Sequence, residues 1–183
     1  MRAAIILCGA VVALSGCGEK TVTATNATPA EVAEKVASAQ QNEQFISPGR
    51  WEATMTIHDM TIPGMPPEMA ARMKSMTAKP RTFDSCVTPE EAKKPKEDFF
   101  SGNNDKSCRY DSFSMGAGVI SAVMHCSSGG ATQTMKMKGT YGPESYHIDV
   151  NTHASGKNQA EAMTMSATMD AKRTGACTGK EKS

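Results

Sequence analysis

The sequence predicts a mainly β protein: a single antiparallel meander sheet or open barrel, with short peripheral helices, two disulfides and a flexible N-terminal tether. Three observations predict it. Apolar and polar residues alternate along several segments, as in Trp51, Ala53, Met55 and Ile57 against Glu52, Thr54, Thr56 and His58. Turn-forming stretches such as Tyr141-Gly142-Pro143 separate these segments, so strands adjacent in sequence are expected to pair. Four cysteines, Cys86, Cys108, Cys126 and Cys177, lie among them, an even number of the kind that exported chains pair.

The chain opens with Arg2 and an uncharged apolar run from Ala3 to Leu14 that ends in Leu14-Ser15-Gly16-Cys17. The run is too short to span a bilayer, which takes about 20 apolar residues. It resembles a bacterial lipoprotein signal peptide, with residues 1–16 removed and Cys17 the lipidated first residue of the mature protein. That resemblance implies a diacylglycerol on the Cys17 thiol, a further acyl chain such as palmitate on the new amino terminus, and anchoring by several chains. Gly18 follows, where an Asp would resemble an inner-membrane retention signal, so the expected location is the outer membrane, facing the periplasm.

Residues 17–47 are expected to hold a tether and a short surface helix. Gly18 to Ala27 is small and polar with no apolar period, which reads as flexible chain. Thr28-Pro29-Ala30-Glu31 has an N-cap residue, Pro at the first helical position and Glu three residues after the cap. The helix to about Gln41 carries only Val32, Val36 and alanines as apolar residues, so a place on the surface is expected.

A β-rich domain over residues 48–178 follows, and residues 179–183 read as a disordered tail. Its first strand starts near Gly49 and is interrupted by Ile62-Pro63-Gly64-Met65-Pro66-Pro67, which leads into a helix over Glu68 to Thr77. A second strand is predicted from Lys79 to Val87. Thr88-Pro89-Glu90-Glu91 opens a brief helix that Pro95 ends. Strands then follow over residues 107–114, 119–126, 131–140, 144–152 and 162–173. Tyr146, Ile148 and Val150 form the apolar face of one of these, and Met163, Met165, Ala167 and Met169 that of the last.

Twenty Lys and Arg balance nineteen acidic residues, so nothing in the charge pattern points to nucleic acid. Among the cysteines, Cys108 and Cys126 lie symmetrically about Ala117 in Gly116-Ala117-Gly118, so a hairpin turning there sets them opposite each other. Cys86 and Cys177 pair by elimination. No C-x-x-C pair is present to suggest a zinc site.

Several short motifs occur in order: Gly49-Arg50-Trp51-Glu52, Pro63-Gly64-Met65-Pro66, Cys86-Val87-Thr88-Pro89-Glu90, two mid-chain cysteines and Gly175-Ala176-Cys177. Together they resemble the bacterial domain-of-unknown-function family 3617, small exported β-rich proteins, over about residues 48 to 178. The resemblance implies export, an antiparallel β domain and paired cysteines, and it supplies no functional residue.

Fourteen methionines against one Trp, three Tyr and five Phe are the chemical oddity of the chain. Met65, Met69 and Met73 recur at intervals of four, with Met76 three further on, so they fall along one side of the short helix and its approach. They read as flexible core filler, as contacts for an apolar ligand or partner, or as soft thioether ligands of Cu(I). His58, His125, His147 and His153 lie in no zinc-hydrolase motif; His147 and Asp149 share a strand face and read as solvent-facing. No nucleophile, base and orienting group is visible, and no phosphate loop follows Ser114-Met115-Gly116-Ala117-Gly118. The expected function is therefore a lipid-anchored, non-enzymatic module without cofactor or resident metal, contacting an envelope protein or apolar small molecule through Met60 to Met76. The alternative is a Met-rich periplasmic copper-binding protein.

Overall fold

The computed structural model describes residues 21–39, 45–94, 107–156 and 162–181. Cys17 and the last two residues lie outside them. The described residues form one antiparallel sheet of eight strands, ordered β1-β4-β5-β6-β7-β8-β2-β3, open between the edge strands β1 and β3. The strands are β1 (Val22–Ala27), β2 (Gly49–Thr61), β3 (Arg81–Val87), β4 (Cys108–Gly116), β5 (Val119–Ser128), β6 (Ala131–Gly142), β7 (Ser145–Ser155) and β8 (Met163–Gly175), with helices α1 (Pro29–Ala39), α2 (Pro67–Thr77) and α3 (Pro89–Lys93).

The five strands from β4 to β8 form the expected meander. The β2–β3 hairpin then adds to β8, and β1 adds to β4. Cys108 lies directly opposite Cys126 in the β4–β5 pair and is bonded to it, while Cys86 is bonded to Cys177 across 91 positions of sequence. Closing loops of these lengths is worth about 3 and somewhat over 4 kcal/mol on the chain-entropy account.

Two expectations fail at the N-terminal end. Residues 22–27, read as tether, form a strand paired with β4 from Val22 opposite Met115 to Ala27 opposite Tyr110. Lacking an apolar run, the segment is ordered by ladder hydrogen bonds to an otherwise open edge and by inward-facing Ala24 and Ala27, both buried. Nor is α1 a surface helix. Its capping box forms as predicted, Thr28 N–H donating to the Glu31 carboxylate at 2.7 Å and Glu31 N–H to Thr28 Oγ1 at 3.2 Å. Beyond the cap, however, Val32, Ala33 and Val36 are buried against β1 and β4. Two valines and small neighbours suffice because alanines let the helix come close to the sheet.

Registers assign the two faces of the sheet. One row of opposed residues crosses seven strands: Ala27, Tyr110, Met124, Met135, Thr152, Met165 and Met60. This is the core face, on which Trp51 stacks over Tyr146 at 6.0 Å and donates its indole N–H to the Ser47 carbonyl. The strand methionines thus fill the apolar face, as flexible thioethers do. On the other face, Thr54, Asp170, His147, Thr140 and Val119 form a polar row. Among the described residues no helix is long and apolar enough to cross a membrane.

Candidate functional site

Two places bring chemistry-bearing side chains together: the Met-rich segment at the β2–β3 connection and a cleft on the polar face of the sheet.

The chain leaves β2 at Thr61 and turns at once, Met65 N–H donating to the Ile62 carbonyl at 3.2 Å with Gly64 at φ +79°. Gly at this position accepts the left-handed backbone without cost. Pro66 and Pro67 then set the entry to α2, where Pro at the first helical position lacks only an N–H that would have no partner in the helix. No residue of α2 is buried. Met69 and Met76 are 59% and 68% exposed, and Met65 and Met73 are half-buried. Phe83, on the edge strand β3 that follows, is a further exposed apolar side chain at 47%. Core filler, one of the three readings of these methionines, therefore does not describe Met69 and Met76. Met65 lies on the approach to α2, and of Met69, Met73 and Met76 along the helix, Met69 and Met76 turn to solvent. α2 has only alanine beside its methionines, with no Leu, Ile or Val to drive it onto the sheet.

The second place is a cleft of about 470 Å³ lined by Glu52, Thr54, Thr140, His147, Asp170 and Lys172, among others. His147 and Asp170 are opposite each other in the β7–β8 pair, and Nδ1 lies 2.6 Å from an Asp170 carboxylate oxygen. Nε2 faces Asp149, two residues along β7, at 3.6 Å. The Asp170 hydrogen bond, helped by the negative charge of both carboxylates, raises the imidazole above its ordinary value of 6.5. The two acidic groups thus favour the charged form of the ring. Lys172 faces Glu52 at 3.6 Å on the same surface. All these groups are substantially exposed, so the cleft presents paired, solvated charges.

Sequence reading found His147 and Asp149 on one face but missed Asp170. The signal lay in the β7–β8 register, which sequence does not supply across a long connection; once Tyr146 is set opposite Ala171, His147 and Asp170 must meet. His58 and His125 hydrogen-bond to Thr168 and Thr134. Among the described residues no group of three or more His, Cys, Asp or Glu is arranged to hold a metal ion.

A family described as proteins of unknown function, DUF3617, matches residues 46–177. No curated protein and no solved structure matches the chain.

Proposed function

The chain belongs to the DUF3617 family, and from that premise we propose that it is a lipid-anchored, non-catalytic β module of the cell envelope that engages an apolar surface of a partner through Met60 to Met76. In this reading Cys17 is acylated and the domain faces the periplasm from the outer membrane. The observation that carries the proposal is the exposure of Met69 and Met76 on a helix that buries nothing. A helix that only capped the core would turn its methionines inward; one offering flexible, polarisable thioethers to solvent suits an adaptable contact. The non-catalytic part draws support from the cleft on the polar face, whose charged groups pair with one another and stay solvated.

The test is a photo-reactive residue placed at position 69 or 76 in cells, with position 136 on the polar face of β6 as the reference. Discrete adducts are expected from 69 and 76, lost on changing the other exposed methionine to Glu, and absent from 136. Equal labelling from all three positions would remove α2 as the contact. Mass spectrometry of the membrane-extracted protein checks the anchor, and an unmodified Cys17 would refute it.

A further inference from the structure

We infer that the end of the sheet carrying the β4–β5 turn rests on the phospholipid surface, so that the opposite end points into the periplasm. The inference deepens the lipid-anchor reading and rests on it. With β1 a strand of the sheet, the fold grips the chain much closer to Cys17 than a tether reaching Ala27 would allow. Val22 is paired with Met115. Thr21 lies so close to Gly116 that a Cβ added there would meet its Oγ1 at 2.7 Å and its Cα at 2.8 Å, a fit that only glycine permits. From Cys17 to Thr21 the chain spans four residue steps, at most about 14 Å fully extended. An acylated Cys17 therefore holds the Thr21–Gly116 contact within about 14 Å of the lipid anchor.

The two ends of β5 differ in the way this placement requires. At the anchored end the turn is Ala117-Gly118, with both residues at positive φ and Tyr141 N–H donating to the Gly118 carbonyl. Val119 follows, 54% exposed on the polar face, an apolar side chain with no place in a solvated row of threonine, aspartate and histidine. The far end is Ser127-Ser128-Gly129-Gly130, without an apolar side chain. The β6–β7 turn at Pro143 lies at the anchored end as well, whereas Thr61, where the chain departs toward Met65 and α2, lies at the far end. The approach to the Met-rich segment is thereby carried away from the membrane, where a periplasmic partner reaches it.

The experiment uses the full-length lipoprotein extracted from membranes and reconstituted in phosphatidylethanolamine and phosphatidylglycerol vesicles containing brominated acyl chains, as Val119→Trp and Ser128→Trp. Both positions are exposed, so neither substitution disturbs the core, and the single native tryptophan is buried and contributes a constant background. The two sites are about 30 Å apart along one strand, roughly a hydrocarbon thickness, so at least about three-fold more quenching is expected at position 119 than at 128. In the unsubstituted protein, hydrogen exchange at Ala117 to Val119 slows on vesicle association while exchange at Gly129 and Gly130 does not. If the protein floats with vesicles but quenching at 128 equals or exceeds that at 119, the orientation is wrong and the anchor stands. If the protein does not float and Cys17 is unmodified, the anchor reading falls and this inference falls with it.

Discussion

α1 and α2 are both eleven residues long, both start with proline and both carry a glutamate in the first turn, yet one is sealed into the protein and the other lies almost bare. α1 sets Val32 and Val36 at 0% and 1% exposure over β1 and β4, where Tyr110, Phe113 and Met115 are also buried. Each fully buried aliphatic side chain there is worth about 1.5–3 kcal/mol. α2 buries none of its side chains, and Met55, Ile57, Met60, Met165 and Met169 on β2 and β8 stay half-buried. The contrast shows that an alternating strand pattern assigns a face and leaves its depth of burial open. Depth is set by what packs above, and two valines on a capped helix do more than three methionines on an uncapped one.

That comparison can be broken by mutation. Tyr110→Ala, at the sealed end of the seven-strand row, is expected to destabilise the fold by about 3–5 kcal/mol in denaturant unfolding, the usual cost of deleting a buried ring. A loss below about 1 kcal/mol would mean that the sealed half is not the stability centre. Near the middle of the same row Thr152 is 3% exposed and its Oγ1 has no hydrogen-bond partner among the described residues. Thr152→Val keeps the shape and removes an unsatisfied hydroxyl, so a gain of about 1 kcal/mol is expected. At the bare end, Met69→Ala with Met76→Ala should change stability by less than about 0.5 kcal/mol, because both side chains stay mostly in water on folding. A larger loss would make α2 a structural cap.

The smallest effect sharpens the contrast on the polar face. His147 is raised above 6.5 chiefly by its hydrogen bond to Asp170. A group raised in the folded state contributes stability that is fully present below its unfolded value and is lost as pH rises through the folded one. Wild type should therefore gain slightly on His147→Ala below about pH 6.5, a gain that fades above the folded value, and Asp170→Asn should shift the imidazole NMR titration downward. An unshifted titration in Asp170→Asn would remove the pairing as the cause.

Much of the β architecture was legible in sequence. Alternation located β2, β7 and β8, because a half-buried strand has a period of two, and turn residues and the symmetric cysteines located β4 to β6 between them. Symmetry about Ala117 located the Cys108–Cys126 bond, and a capping box located each of α1 and α3, since these depend on residues close along the chain. What tertiary structure alone decided were the features set by partners distant in sequence. β1 has no apolar pattern and exists because β4, far along the chain, offers it an edge. Asp170 reaches His147 through a register fixed across a long connection. The opposite fates of α1 and α2 depend on which stretch of sheet each one meets. Local preference and periodicity are written residue by residue, whereas burial is a property of two surfaces brought together, and only the folded chain holds both.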